Sequence, residues 1–253
     1  MKQICFWVSL PRSGNTVLAS ILNQNRKIGC TPNSIVFELL HNINEAKKTK
    51  VFMNFPDHGS VQNVSKKIIQ NYYQDWKQDI IIDRSPATTP KNLEYYDYQN
   101  YKYIFLKRSL IEIVKSFIDL SLKNNTEKPI EKVYQEITDP NTMLLRSLLA
   151  LTNGLKNIDK EKYILIDYND FVKSPKDVIE KIYKFLNIES FNHNFENIDQ
   201  FSVNGMKYDD SILGFYNNIH RINTESVTKR SYNIELPQHI IDFCRNYENL
   251  IIE

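Results

Sequence analysis

Apolar positions follow two spacings along this chain, and the two alternate. Continuous apolar runs predict strands at Ile4–Ser9, 79–86, 101–109 and 161–170. Apolar residues three and four apart predict helices over Thr16–Gln24, Ser34–Asn44, Val61–Trp76, Leu110–Leu122 and Thr142–Leu155, with two more that start at Ser174 and near Pro237. The stretch 51–60 is expected to form a short strand or extended piece that ends in a turn. Alternating strands and helices indicate an α/β fold, with a central parallel β-sheet flanked by helices.

The same pattern predicts the domain organisation. The sequence contains no repeat and no low-complexity linker, so residues 1–253 are expected to form a single domain. A chain of 253 residues, 42% of them apolar, is long enough to bury a substantial core. Residues 192–230 have little periodicity and many polar side chains, which predicts a long loop region that acts as a lid over the active site.

Charge and cysteine content narrow the class of protein. The 32 basic and 30 acidic residues give a net charge of +2, which argues against nucleic acid as a partner bound by overall charge. Three widely spaced cysteines, Cys5, Cys30 and Cys244, suit reduced thiols in a reducing compartment. No apolar run approaches the ~18 residues of a membrane span, and the N-terminal run is too short for a signal peptide. We therefore expect a cytoplasmic protein without a membrane span.

The stretch FWVSLPRSGNTVLAS, residues 6–20, joins a predicted strand to a predicted helix through a polar turn. Ligands of an open parallel sheet lie at the carboxyl ends of its strands, where this turn is expected. Backbone N–H groups at the start of the helix favour an anion, and polar side chains add further donors. The alternative is a turn that only caps the helix and binds nothing. The candidate anion-binding residues are Arg12, Ser13, Gly14, Asn15 and Thr16.

The turn differs from the common nucleoside-triphosphate loop. That loop, G-x-x-x-x-G-K-[ST], uses its lysine on the outer phosphates and its Ser or Thr on magnesium. The first glycine and the lysine are both absent here. ATP or GTP with magnesium is therefore disfavoured as the ligand.

A second group of polar residues follows a later strand. Arg108 ends the strand predicted at 101–109, so it is expected at the same edge of the sheet. Ser109 and Glu112 predict a capping box for the next helix, and Ser116 lies about two turns into that helix. Arg108 and Ser116 together are suited to a second phosphate.

These residues resemble the motifs of the sulfotransferase superfamily, which uses 3′-phosphoadenosine 5′-phosphosulfate (PAPS). The family's first loop, P-[RK]-S-G-[TN]-T, matches Pro11–Thr16, and its strand-terminal Arg with a Ser eight residues later matches Arg108 and Ser116. A third family pattern, a strand, Y-[EN]-D, a loop, Pro, a helix and FL, matches residues 163–188. The motif order agrees over residues 4–188, and the PRSG loop is similar to the tyrosylprotein, bacterial and viral branches.

The resemblance implies a P-loop nucleotide-kinase-like sulfotransferase fold. It also implies in-line transfer of a sulfuryl group from PAPS to a hydroxyl or amine acceptor, with 3′-phosphoadenosine 5′-phosphate (PAP) as product and no metal. The first motif would hold the 5′-phosphosulfate and the second the 3′-phosphate. Tyr168 stands where the family contacts adenine. Arg221 is the best match to a late family arginine near the 3′-phosphate, with Lys229 and Arg230 as alternatives.

Arg84 is the second candidate catalytic arginine, beside Arg12. It stands where the family has a Lys or His next to the sulfate, shortly before Pro86. The resemblance implies that Arg84 stabilises the sulfuryl oxygens in the transition state. A salt bridge with Asp83 is the structural alternative. Arginine stays protonated and does not act as a general base.

The general base is expected to be His58, which neighbours Asp57 in a predicted turn. A histidine with a pKa near neutral suits proton abstraction from an acceptor. Asp83, Glu38 and Asp57 are the other candidates, and His58 can equally be an ordinary turn residue.

Two other classes of function stay open on the same layout: a magnesium-dependent kinase, and a nucleotide-binding protein without chemistry. The missing lysine argues against the first. The acceptor is equally open, since a small molecule, a carbohydrate and a tyrosyl peptide all fit the motifs, and the sequence does not predict the oligomeric state.

Overall fold

The strands form one parallel sheet. A computed structural model describes residues 2–31, 34–84, 101–124, 130–139, 142–200, 202–222 and 226–252. In the described chain the sheet has five strands in the order β2-β3-β1-β4-β5. Their bounds are β1 Gln3–Ser9, β2 Ile28–Thr31, β3 Ile80–Asp83, β4 Lys102–Lys107 and β5 Tyr163–Asp167.

The register places the carboxyl ends of the central strands side by side. β1 lies between β3 and β4, with Gln3 opposite Ile80 and Ser9 opposite Leu106. All pairings are parallel, so the residues that follow β1, β3 and β4 emerge at the same edge. Arg12, Arg84 and Arg108 follow these three strands at this edge.

Helices cover both faces of the sheet. They are α1 Asn15–Leu22, α2 Val36–Ala46, α3 Lys50–Asn54, α4 His58–Tyr72, α5 Leu110–Lys123, α6 Ile130–Thr138, α7 Met143–Asn157, α8 Tyr168–Lys173, α9 Pro175–Leu186 and α10 Gln238–Ile252, with 3₁₀-helices at Lys160–Lys162 and Asp210–Tyr216. Alternate β1 residues enter two cores. Phe6 belongs to the core that contains residues of α2, α4, α5, α6, α7 and α10, and Trp7 belongs to the core that contains residues of α1, α8 and α9. The predicted α/β class is thus confirmed, as a single domain with a parallel sheet between two helical layers. Within the described ranges no helix is both long and apolar enough to cross a bilayer.

The prediction for residues 51–60 is wrong. The chain forms α3 there and begins α4 at His58. The Oγ1 of Thr49 accepts from the Phe52 N–H at 3.3 Å, and the Oδ1 of Asp57 accepts from the Ser60 N–H at 2.9 Å. These two N-caps start helices in a stretch whose apolar residues suggested an extended chain.

Two elements have no counterpart in the sequence prediction, β2 and α6. β2 is four residues long and is paired on one side by β3. Its Gly29 leaves room for the Trp76 ring, which a Cβ would approach to 3.0 Å. A four-residue strand that contains a glycine has too few apolar residues to be predicted from its sequence pattern. Its pairing with β3 stabilises it instead.

The boundaries of two predicted strands also change. β3 ends at Asp83, and Pro86 lies outside the described residues. β5 ends at Asp167, whose side chain accepts from the Asn169 N–H at 2.8 Å and so caps α8. The predicted strand 161–170 therefore divides into a strand and a short helix.

The predicted capping box at α5 is not formed. Ser109 is the N-cap, but its side chain makes no capping hydrogen bond. The Glu112 carboxylate lies 3.8 Å from Arg108, and the N–H of the next residue after the N-cap, Leu110, donates to Glu248 of α10. Tertiary contacts therefore engage the start of this helix.

The described part of 192–230 is largely irregular. It contains the 3₁₀-helix Asp210–Tyr216 and an isolated bridge between Val203 and Met206. Its role as a lid stays a prediction.

Candidate active site

A cavity of about 480 Å³ opens at the edge where β1, β3 and β4 end. Ligands of open parallel sheets bind at this edge. The sequence-predicted residues that line it are Arg12, Gly14, Asn15, Thr16, Arg84, Arg108, Ser116, Tyr168 and Arg221.

The loop after β1 is held in an unusual backbone conformation. Arg12 and Gly14 have φ angles of 59° and 80°. The Asn15 Nδ2 donates to the Leu10 carbonyl at 2.9 Å, so this side chain closes the loop on itself. A Cβ on Gly14 would lie 3.2 Å from the Tyr168 ring, which explains the glycine. Ser13 is fully buried. The loop thus presents the start of α1 to the cavity.

Arg12 links three segments of the chain. Its Nε donates to the Ser116 Oγ at 3.0 Å, and its Nη1 donates to the Ile219 carbonyl at 2.7 Å. Burial lowers the pKa of Arg12 to about 10, and the positive charges of Arg230 and Arg108 act in the same direction. The side chain stays a cation at neutral pH and lies in a cluster of like charges.

Ser116 is prepared to donate a hydrogen bond. Its Oγ accepts from the Arg12 Nε and from the Tyr232 hydroxyl, each at 3.0 Å. A hydroxyl oxygen has two acceptor positions, so its own proton is directed to a third group. An anion in the cavity would be such a group.

Arg108 is a buried arginine with two donors that have no hydrogen-bond partner in the described chain. The residue is only 5% exposed, and its Nη1 donates to the Arg12 carbonyl. Its guanidinium lies 4.1 Å from the centre of the Tyr168 ring. The Nε and Nη2 have no hydrogen-bond partner among the described residues, and the nearest carboxylate, Glu112, is 3.8 Å from Nη2. Buried donors of this kind are normally satisfied, which points to an anion.

Arg84 lies beneath the same cavity. Its Nε donates to the Ser9 Oγ at 2.6 Å, and burial lowers its pKa to about 10. It turns to Ser9 rather than to Asp83, whose carboxylate oxygens have no hydrogen-bond partner in the described chain. The salt bridge considered as an alternative is not formed.

The four candidate bases do not line this cavity. Glu38, Asp57, His58 and Asp83 are not among its lining residues in the described chain. His58 is the exposed first residue of α4, and its ring contacts Phe52 at 4.9 Å. The helix that replaces the predicted turn positions it there.

The cavity contains a different histidine that sequence analysis did not single out. The His220 Nδ1 lies 2.7 Å from the Asp210 Oδ1, and the His220 backbone N–H donates to the Asp210 Oδ2 at 2.9 Å. The imidazole stacks on Tyr208 with the ring centres 3.9 Å apart and the planes 6° apart. His220 follows Asp210 by ten positions in an irregular segment, and no helical or strand spacing predicts that the two residues meet. Sequence analysis selected only the neighbouring Arg221 in this stretch.

The late arginines line the cavity as well. Arg221 is exposed, whereas Arg230 is half-buried. The positive charge of Arg230 lowers the pKa values of both Arg12 and Tyr168.

Apolar side chains complete two walls. The wall beside α8 consists of Val17, Tyr168, Phe171, Val172 and Val227. The apolar part of the wall on α5, α6, α7 and the second 3₁₀-helix consists of Phe117, Leu120, Ile137, Met143, Leu144, Leu213 and Tyr216. Charged and polar residues of the same region line the cavity beside them: Asp119, Lys123, Glu136, Asp139 and Thr142. The cavity therefore combines an arginine-rich floor with one apolar wall and one wall of mixed polarity.

Comparison with known proteins agrees with this architecture. The family model described as "Sulfotransferase family" matches residues 5–193, more than half of the chain. A search of curated proteins found no match.

Several solved structures share the fold. A sulfotransferase domain from the curacin biosynthetic pathway is 19% identical, covers 98% of this chain and 98% of its own, and has a TM-score of 0.56. A mouse sulfotransferase complexed with PAP is 11% identical, with 98% and 83% covered and a TM-score of 0.51. A retinol dehydratase in complex with retinol and PAP is 12% identical, with 100% and 82% covered and a TM-score of 0.51. At these identities the likeness supports the fold.

Proposed function

This chain belongs to the sulfotransferase family, and we propose that it transfers the sulfuryl group of PAPS to a hydroxyl or amine acceptor and releases PAP. One observation carries the proposal: the buried Arg108 directs two unsatisfied donors at a cavity that Arg12 and Ser116 also reach. A nucleotide with phosphates at both its 3′ and 5′ positions offers two anionic groups to such a site.

The donor would be held at both ends. Arg108 and the Ser116 hydroxyl bind the 3′-phosphate, with Arg230 or Arg221 beside it. The start of α1 and Arg12 bind the 5′-phosphosulfate, with Gly14, Asn15 and Thr16 in the cradle. The adenine lies against the α8 wall, where Tyr168 is already stacked under Arg108.

The chemistry would be an in-line displacement at sulfur, which resembles phosphoryl transfer in needing mainly positioning and charge. Negative charge grows on the oxygen that bridges sulfur and the 5′-phosphate. Arg12 and Arg84 are cations near this point and are fixed by hydrogen bonds before the reaction. Preorganised donors of this kind stabilise the transition state.

The acceptor would have an apolar body. The wall on α5, α6 and α7 offers aliphatic and aromatic side chains to it, with charged side chains such as Asp119 and Glu136 beside them, which suits an alcohol or amine that joins an apolar body to a polar end. The retinol dehydratase that shares the fold was solved with retinol, an apolar alcohol, and this supports the choice.

Thermal unfolding with different nucleotides tests the donor site. PAP at a hundred times its dissociation constant should add about 2.7 kcal/mol to the free energy of unfolding, a rise in Tm of roughly 5–10 °C. The shift should persist in EDTA and exceed that of ADP. A larger shift with ATP and magnesium would instead support the kinase alternative. PAP that gives no shift at millimolar concentration would refute the proposal.

A further inference from the structure

We propose that His220 and Asp210, called the dyad, are the general base of this reaction and take the proton of the acceptor hydroxyl. The inference rests on the proposed function and assigns a catalytic role to the segment 202–222, called the dyad segment. The sequence pointed to other residues for this role.

Asp210 fixes the histidine by two contacts. One carboxylate oxygen meets the ring Nδ1 at 2.7 Å, and the other accepts from the backbone N–H of the same residue at 2.9 Å. An ionised carboxylate accepts from Nδ1–H, which leaves the lone pair on Nε2. Stacking on Tyr208 restricts the ring further. The imidazole is thus held in one tautomer and one orientation.

The dyad stands where donor and acceptor would meet. The residue before His220, Ile219, receives the Nη1 bond of Arg12 on its carbonyl at 2.7 Å. Asp210 begins the 3₁₀-helix that also carries Leu213 and Tyr216 of the wall of mixed polarity. The Tyr216 ring contacts Phe117 of α5 with centres 5.6 Å apart. One segment therefore connects the arginines to the acceptor wall.

Burial favours the neutral form of the His220 imidazole. Burial lowers the pKa of His220 below its ordinary value, and the hydrogen bond and charge of Asp210 oppose this effect. Arg84 and Arg12 lower the pKa further. Tyr208 adds an aromatic face and no charge at neutral pH. A neutral imidazole at physiological pH is the form that accepts a proton.

The transfer exchanges one S–O bond for another. The acceptor oxygen attacks sulfur and forms the new S–O bond, while the bond from sulfur to the bridging oxygen breaks. The electron pair of the broken bond leaves with PAP. The acceptor proton moves to Nε2 of His220, and the imidazolium formed is stabilised by Asp210. The proton then passes to solvent.

The test compares histidine and aspartate variants at saturating PAPS. The first acceptor is an apolar phenol, 2-naphthol. His220→Gln should lower its kcat by about 10²-fold to 10⁴-fold. Asp210→Asn should lower it by about tenfold or more. The loss should be larger for decanol, because an alkanol holds its proton more tightly than a phenol does. PAP affinity, measured by calorimetry, should stay within about threefold, since neither residue is assigned to the nucleotide. His41→Gln, on the exposed side of α2, is the matched control.

Two further measurements separate a base from a structural residue. Wild-type kcat should rise with pH through the pKa of His220 and level off, and His220→Gln should lose that rise. Nitrogen NMR of the PAP complex should show His220 protonated at Nδ1, and Asp210→Asn should disturb this tautomer. Asp210→Asn carries the test if His220→Gln does not fold.

The outcomes distinguish the two proposals. His220→Gln with a kcat within threefold of His41→Gln for both acceptors overturns the dyad alone, and so does a pH rise that persists in that variant. A fall in kcat that occurs in His58→Gln but not in His220→Gln also overturns the dyad. A wild-type protein that transfers sulfate to neither acceptor nor water overturns the dyad and the proposed function together.

Discussion

Two regions of this cavity are built in different ways. The anion edge (residues 10–16, Arg84, Arg108 and Ser116) grows out of buried strands and the helices that follow them. The dyad segment has one 3₁₀-helix and is held by side-chain contacts to the chain around it. The first region takes its geometry from the sheet, and the second takes it from individual hydrogen bonds.

The difference suggests that one region binds the nucleotide and the other accommodates the acceptor. Rigid elements place groups that must match a nucleotide at two ends, whereas a segment anchored by a few bonds adapts to different acceptors. Perturbing the anion edge should therefore change nucleotide affinity, and perturbing the dyad segment should change turnover. Substitutions at Arg108, Asp83 and Gln200 test this separation.

Arg108→Ala should have the largest effect. It removes a buried cation from the predicted 3′-phosphate site, which typically costs about 2–5 kcal/mol of binding free energy, or roughly thirtyfold to several thousandfold in affinity. Calorimetric titration with PAP measures the loss. Arg146→Ala, on the exposed side of α7, is the matched control. Unchanged PAP affinity in Arg108→Ala would show that the 3′-phosphate binds elsewhere.

Asp83→Asn should change stability rather than binding. Burial raises the pKa of Asp83 to about 6, so the folded protein binds this proton more tightly than the unfolded chain does. Its contribution to stability is present at low pH and is lost as pH rises between about 4 and 6. The loss amounts to about 3 kcal/mol for a shift of roughly two pKa units.

Urea unfolding between pH 4.5 and 7.5 measures this effect. Wild type should lose stability relative to Asp83→Asn as the pH rises, and the variant should be the more stable protein at pH 7.5. Asp79→Asn, at an exposed carboxylate four residues earlier, should follow wild type. A gap between wild type and Asp83→Asn that stays constant with pH would contradict the buried, proton-binding carboxyl.

Gln200→Ala should have the smallest effect and should act on turnover. The Gln200 side chain donates to the His220 carbonyl at 3.2 Å and accepts from the Ile222 N–H at 3.0 Å, so it holds the chain on both sides of the imidazole. Each exposed bond contributes about 0.5–1.5 kcal/mol at most. We expect kcat to fall up to about tenfold with PAP affinity unchanged, measured beside Gln74→Ala as control. A drop in PAP affinity equal to the drop in kcat would break the proposed separation.

The anion edge was the part of the site that sequence could predict. Arg12 and Arg108 follow strands with continuous apolar runs, and the strand–turn–helix order places them at one edge of a parallel sheet. The apolar run that predicts each strand also shows where the strand ends. Because the ends of parallel strands lie at one edge of the sheet, the sequence pattern alone places these two arginines at the edge where they line the cavity.

The dyad could not be found in the same way. Asp210 and His220 belong to a segment without apolar periodicity, and they meet through a turn of the chain rather than at a helical or strand spacing. His58 was preferred because a histidine in an exposed turn suits proton abstraction, but the expected turn is the start of α4, where the Asp57 carboxylate caps the helix. The predicted capping box at Ser109 likewise does not form, and Glu112 lies near Arg108. In both places a contact in the fold differs from the one that the local sequence suggests.

The bond from Arg12 to position 219 has a consequence for redesign. Its acceptor is a main-chain oxygen, which all twenty amino acids possess, so the bond itself does not depend on which side chain stands at position 219. Libraries that vary residues 211–217 for new acceptors, and keep Asn218 at its φ of 62° and an apolar residue at the partly buried position 219, should therefore preserve this support of Arg12. That makes the stretch a natural place to begin retargeting.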